Sequence, residues 1–333
     1  MAGIRRGACP GAGVAVVVLC GFIASSFIEA RADEPQRPAT LIERLSRGDD
    51  LRLIGYTPTG IDPRQPAQNL QVKSSSLKAD LQAIRSRFNG LVLYGYNEGS
   101  TPRIVALAAE LGFEAIVLGV WEVRSADEID GVAALARQFS SQMTIAVCVG
   151  NEGLTFGRYE PDDLQFAFNR IRSQIPADVL TTTSEPLVGY QSEFVRRLGD
   201  FLFPNIHPAW DRPELAPASA VEWVRTEAAR LARQSMKPVI VKETGLPHAY
   251  RHDKTPEYTP QLQAEFWRSY RAAGVRQVLD GEPAVWASHA VAFEAFDLPW
   301  KAEASGFATE QAWGLFSKDR VPYLAAEAWA ADQ

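Results

Sequence analysis

Cysteine, histidine and methionine are scarce in this chain: 333 residues carry 3 Cys, 4 His and 3 Met. Two of the cysteines, Cys9 and Cys20, fall in the first 32 residues, so only Cys148 would remain after removal of that segment and no internal disulfide is available. Cys148 lies within the apolar run 144–149, which marks it as a buried inert thiol. No C-x-x-C or H-E-x-x-H spacing occurs, and His207, His248, His252 and His289 show no helical metal-ligand spacing, so no metal and no other cofactor is expected. There is no G-x-G-x-x-G after the first apolar run and no P-loop. Basic blocks are also missing, and with 34 Lys and Arg against 40 Asp and Glu the net charge of -6 argues against a nucleic-acid partner. A neutral substrate fits better.

The N-terminus has a basic start at Arg5 and Arg6, an apolar stretch over 14–28, and Ala30-Arg31-Ala32 before Asp33. This is the organisation of a secretory signal peptide, read here as residues 1–32. The stretch is shorter than the ~20 apolar residues of a membrane span, so no stable span is expected after cleavage. Residues 33–38 read as a polar linker and 39–333 as one domain, periplasmic or secreted.

Within that domain short apolar runs alternate with longer amphipathic ones. The runs predict strands at 51–56, 90–94, 115–120, 144–149, 180–184, 201–206, 239–242 and 290–296. Thr101, Pro102 and Gly112 punctuate one intervening helix, Thr259, Pro260 and Gly274 another, and Ser219 caps a third. Near-continuous apolar strands separated by helices imply a parallel sheet covered on its outside. Eight such units predict an α/β fold, a single TIM (β/α)8 barrel, typically ~250 residues.

Catalytic groups of such barrels project from the C-terminal strand ends. The fourth run ends in Val149-Gly150-Asn151-Glu152 and the seventh in Val241-Lys242-Glu243-Thr244. Barrel closure brings both carboxylates to one mouth. Two carboxylates facing one glycosidic bond are what glycoside hydrolysis requires, one to protonate the departing oxygen and the other to attack the anomeric carbon or activate water.

Asn151-Glu152 and Glu243 resemble the acid/base and nucleophile placement of the clan A glycoside hydrolases. More narrowly, Lys242-Glu243-Thr244-Gly245-Leu246-Pro247 resembles the nucleophile motif of glycoside hydrolase family 17, usually Ser/Thr-Glu-Ser/Thr-Gly-Trp-Pro. Val92-Leu93-Tyr94-Gly95, Leu118-Gly119-Val120-Trp121, Asn205-Ile206-His207-Pro208, Phe293-Glu294-Ala295-Phe296-Asp297 and Trp313-Gly314-Leu315-Phe316 resemble further segments of that family in the same order. The resemblance covers roughly residues 50–325. It implies retaining action on β-1,3-glucan, with Glu152 as acid/base and Glu243 as nucleophile. Water resolves the covalent intermediate in an endo-glucanase and a sugar hydroxyl in a glucanosyltransferase, and both stay open. A non-catalytic exported sugar binder has no need of the two carboxylates. Leu246 in place of Trp, and Leu298 where many members carry Glu, bear on the sugar contacts.

The supporting candidates follow strand ends. Asn151 is placed to donate to the sugar 2-hydroxyl, Tyr94 to hold the nucleophile, and His207 to touch substrate or nucleophile. Trp210 and Trp300, like Trp121, offer flat faces to glucose rings. Glu294, Lys301 and Glu310 match charged family positions that bind sugar hydroxyls. Glu98, Glu122 and Glu185 also follow strands and are open as subsite ligands. The polar loop 248–258 is expected to wall the acceptor side.

Overall fold

Strands β3 (Ala115–Val120) and β4 (Thr144–Asn151) are buried at every position, as strands covered on both faces must be. With β1 (Leu53–Gly55), β2 (Gly90–Val92), β5 (Leu180–Ser184), β6 (Val239–Thr244) and β8 (Val285–Ala292) they form a parallel sheet in the order β5-β4-β3-β2-β1-β8-β6. The computed structural model describes residues 38–65, 72–250, 257–274, 277–279 and 285–330. The expected signal segment 1–32 and all of the linker but Pro38 lie outside them.

The sixth expected strand, 201–206, is not a continuous ladder. It closes the gap between β5 and β6 through isolated bridges of Asn205 to Pro186 and Glu243 and of Leu202 to Val239. The reason is local: Pro204 has no N–H to donate, and the N–H of Phe203 goes to the Tyr190 hydroxyl at 3.2 Å. The barrel is complete in space all the same, which is the (β/α)8 fold expected. The last strand is shifted: β8 ends at Ala292, before Glu294, and β7 (Gln277–Leu279), absent from the sequence reading, pairs with it antiparallel. Conversely, β4 and β6 run further than the apolar runs and take in Asn151 and Glu243.

Two concentric cores result. Leu53, Val92, Val117, Cys148, Phe203, Ile240 and Val291 fill the lumen, and the opposite strand faces pack on the surrounding helices. Helix α1 (Leu41–Ser46) plugs the N-terminal end of the barrel with Leu41 and Leu45, and Arg44 Nη2 meets Glu114 Oε2 at 2.5 Å just before β3.

Two helix starts differ from expectation. Helix α2 (Thr101–Glu110) has Ser100 at its N-cap position, without a side-chain cap bond, because a turn begun by Asn97 starts it one residue early, and the Thr101 hydroxyl accepts from Asn97 N at 2.8 Å. Helix α3 (Pro217–Ser235) starts at Pro217, whose fixed φ suits a first helical position, so Ser219 lies inside it. Thr259 does cap α4 (Pro260–Ala272), accepting from Leu262 N at 3.2 Å, and Gly274 follows its end at φ +62.

Candidate active site

Side chains alternate along a strand, so the lumen layer above Val92, Phe203, Ile240 and Val291 is Tyr94, Asn205, Lys242 and Phe293. Two register shifts break that alternation at the mouth. One lies between Cys148 and Asn151 against β5, the other between Val241 and Thr244 against β8. Such irregularities re-aim side chains. Here they let Asn151 and Glu243 join the same layer as Lys242, although Asn151 is out of phase with Cys148 and Glu243 is Lys242's neighbour.

Glu243 is almost fully buried. Lys242 Nζ donates to its Oε1 at 2.6 Å, and His207 Nε2 faces its Oε2 at 3.3 Å. A carboxylate only accepts, so the Nε2 of His207 carries the hydrogen in this contact. Burial alone would push the Glu243 carboxyl up, but the charge of Lys242 and the His207 contact outweigh it and hold the group at about 2. Glu152 is displaced the opposite way. Burial and the neighbouring Glu243 charge raise it, against a lowering hydrogen bond from Asn205.

Glu152 itself is in the left-handed region at φ 57, which costs a non-glycine residue roughly 1–2 kcal/mol. The surrounding turn enforces it. Glu152 N donates to Ser184 O at 2.7 Å, and Gly153 N to the Tyr159 hydroxyl at 3.2 Å. A Cβ on Gly153 would stand 1.9 Å from the Tyr159 ring, so only glycine lets that ring support the turn from beneath. Glu185 completes the anchor, accepting from Leu154 N at 3.0 Å and Thr155 N at 3.1 Å. With both oxygens engaged and the side chain fully buried, Glu185 is not available as the subsite ligand considered from sequence.

Asn205 ties the two strands together. Its Nδ2 reaches Glu152 Oε1 at 2.8 Å and Asn151 Oδ1 at 3.3 Å, while its Oδ1 accepts from the Ser184 hydroxyl at 3.0 Å. Asn151 Oδ1 also accepts from Lys242 Nζ at 2.6 Å, so its amide presents Nδ2 as the unengaged donor. Tyr94 faces the same carboxylates without completing a hydrogen bond. Burial and the charges of Glu243, Glu294 and Glu152 push its phenol well above the ordinary value.

A second charged group borders the first. Glu294 follows a cis peptide bond with Phe293, is buried, and accepts from Lys301 Nζ at 2.6 Å through Oε1; its Oε2 has no partner among the described residues. Burial lifts Glu294 to about 7 despite Lys301. An aromatic wall links this pair to the rest. The His207 ring packs edge-on against Phe293 and Trp313 at 5.1 and 5.2 Å, and Trp313 lies 6.4 Å from Trp210. Glu310 accepts from Trp313 Nε1 at 3.4 Å. Trp300 joins through Lys301, whose ammonium is 5.9 Å from its ring. Thus Glu152, Glu243, Asn151, Tyr94 and His207 come together at the mouth, and Trp210, Glu294, Trp300, Lys301 and Glu310 border them.

The remaining sequence candidates go elsewhere. Trp121 is 43% exposed with the Arg158 guanidinium 4.1 Å over its ring, leaving its other face open. Glu98 and Glu122 are exposed. Cys148 is buried with its thiol pushed up to about 12 by desolvation. In the loop 248–258, residues 251–256 lie outside the described residues, and His248 turns away to Asp297 at 3.0 Å. Among the described residues no three His, Cys, Asp or Glu cluster around a metal position, and no helix is long and apolar enough to cross a membrane. Sequence reading passed over Lys242 and Asn205; a lysine two positions after the inward-facing Ile240 was the available signal.

A model of the BtgE/BtgC glycoside hydrolase domain matches residues 54–314. A glucan 1,3-beta-glucosidase of Arthroderma benhamiae is 27% identical over 245 residues, 69% of this chain and 76% of that protein. One of Saccharomyces cerevisiae is 24% identical over 275 residues, 75% of this chain and 84% of that protein. Among solved structures, a glycoside hydrolase family 17 beta-1,3-glucanosyltransferase from Rhizomucor miehei shares the fold with a TM-score of 0.62 at 18% identity, over 82% of this chain and 95% of its own. An endo-laminarinase from Formosa does so with a TM-score of 0.65 at 20% identity, over 81% and 84%.

A barrel with this carboxylate-lined mouth and these relatives is a glycoside hydrolase. The chain belongs to the BtgE/BtgC glycoside hydrolase family, and it shares its barrel with a family 17 enzyme, as the resemblance of its motifs implied.

Proposed function

We propose that this enzyme cleaves β-1,3-glucan with retention of configuration. Glu243 attacks the anomeric carbon as Glu152 protonates the departing glycosidic oxygen. Glu152, now a base, then takes a proton from a water molecule whose oxygen bonds to the anomeric carbon as the ester bond to Glu243 breaks, which frees the sugar and the nucleophile. The observation that carries the reading is the opposed displacement of two neighbouring carboxyls, Glu243 held ionised near 2 and Glu152 raised toward its protonated form. The β-1,3 linkage is supported by the curated relatives, both glucan 1,3-beta-glucosidases.

In the transition state positive charge develops on the sugar ring, and the free Nδ2 of Asn151 is the donor for its 2-hydroxyl. The unpartnered Oε2 of Glu294 is an acceptor for a further hydroxyl, and Trp210 and Trp300 supply apolar faces. Endo-hydrolysis is the reading adopted. Export with removal of residues 1–32 belongs to it, on the strength of the basic start, apolar run and Ala30-Arg31-Ala32.

Incubation with reduced laminari-oligosaccharides tests the reaction. Shorter products of retained anomeric configuration are expected, and longer ones would replace hydrolysis by glucosyl transfer. Glu152→Gln and Glu243→Gln should each nearly abolish turnover while the fold survives. Full activity in both would end the proposal. N-terminal sequencing of the exported protein should begin at Asp33.

A further inference from the structure

The lumen layer beneath the catalytic mouth holds a buried ammonium. Lys242 is 1% exposed, at a position where the family 17 motif usually carries Ser or Thr. An apolar side chain like that of Ile240, two residues earlier in the same phase, would fill this space without stripping a charge of water. Lys242 is nonetheless tightly partnered. Its Nζ gives one hydrogen to Glu243 Oε1 and one to Asn151 Oδ1, each at 2.6 Å, and lies 4.4 Å from the centroid of the Tyr94 ring. The ring has that place because β1 ends in Gly55, where a Cβ would come 2.7 Å from the Tyr94 hydroxyl.

We infer that Lys242 is a positioning residue of the reaction, a fixed counter-ion that locks one oxygen of Glu243 and sets the amide of Asn151 with its N–H2 toward the sugar. A serine or threonine hydroxyl at this position carries no charge and is too short to hold both partners. The inference rests on the reading of Glu243 as nucleophile.

The titratable groups around the pair are Tyr94 beyond β2, Cys148 and Glu152 on β4 and its turn, His207 beyond 201–206, and Glu294 beyond β8. Burial disfavours the charge on Glu243, and Glu152 and Glu294, which its charge raises, would add to that cost were they ionised. Lys242 is the ammonium set against this cost, with His207 adding a hydrogen bond. Removing Lys242 therefore leaves the nucleophile harder to ionise, and Asn151 Oδ1 with Asn205 Nδ2 as its remaining partner.

The test is the pH dependence of kcat/KM on β-1,3-glucan for the full chain carrying Lys242→Met, Lys242→Gln or Lys242→Arg. In the Met and Gln variants the acid limb should move up by at least one pH unit, and kcat at neutral pH should fall on the order of 100-fold. Arginine should retain the wild-type acid limb. If Lys242→Met does not fold, Lys242→Gln carries the same reading. An acid limb unmoved in a folded Met or Gln variant would overturn the inference. Glu243→Gln is assayed beside them: if it keeps turnover, the assignment of the nucleophile fails whatever Lys242 does. If it is dead while the acid limb of the Lys242 variants stays put, the Lys242 inference alone falls.

Discussion

Asn205 Nδ2 donates to Glu152 Oε1 at 2.8 Å, and that bond opposes the burial and Glu243 charge that raise the Glu152 carboxyl. A donor to the ionised form favours ionisation, so removing it must raise Glu152 further. In the proposed mechanism Glu152 begins each cycle protonated, and its loss of a proton sets the alkaline limb of kcat/KM. Asn205→Ala should therefore shift that limb to higher pH and reduce kcat roughly 10- to 100-fold, because the acid loses its fixed aim. A pH profile whose alkaline limb stays in place, or moves down, would separate Asn205 from the acid.

Glu294 gives the fold a pH dependence of definite sign. An unfolded glutamate titrates near ~4.3, whereas burial holds the folded one at about 7. Between those values the folded protein binds more protons than the unfolded chain, so stability falls as pH rises through this window, by up to about 1.4 kcal/mol per pH unit, and levels off above it. Glu294→Gln cannot ionise and should show a shallower fall between pH 5 and 7 in urea unfolding. The raised Glu152 acts in the same direction in both proteins and cancels in the comparison. Parallel curves for the two proteins would contradict the burial argument.

Much of this site was legible in sequence because β4 and β6 are apolar up to their mouths, so each carboxylate stood out at a strand end. Two things were hidden. The strand at 201–206 has its ladder broken by Pro204 and by the Tyr190 hydroxyl, a contact between side chain and main chain that no periodicity reports. The roles of Asn151 and Glu243 depend on register shifts against neighbouring strands, which turn side chains out of the regular alternation. Glu185 shows the converse: by sequence a strand-end carboxylate like Glu152, it is spent on loop N–H groups.

Asp80 is fully buried and held by four donors. Its Oδ1 accepts from Arg320 Nε at 2.7 Å and the Thr59 hydroxyl at 2.9 Å, and its Oδ2 from Thr59 N and the Tyr56 hydroxyl, both at 3.0 Å. Arg320 is the cation of this set, joining its segment to the helix Ser74–Arg85 through Asp80 and to the loop after β1 through the Thr59 hydroxyl. Arg320→Ala leaves a buried carboxylate without its counter-charge and should destabilise the fold by about 3 kcal/mol, with kcat at 25 °C close to wild type. Urea unfolding checks this, and a loss under about 0.5 kcal/mol would mean that the neutral donors suffice.

Glu185 separates two functions by kinetics. A sugar ligand would show itself in KM, since its loss weakens the ground-state complex as well as the transition state. The hydrogen bonds to Leu154 N and Thr155 N give it another role, fixing the turn that carries Glu152. Glutamine retains one acceptor but sets an N–H2 group against the second backbone N–H, so the turn loses one anchor and gains a repulsive contact. Glu185→Gln should then lower kcat about 10-fold or more with little change in KM, because misplacing the acid affects proton transfer and not binding. A raised KM at unchanged kcat would return Glu185 to the substrate-binding surface.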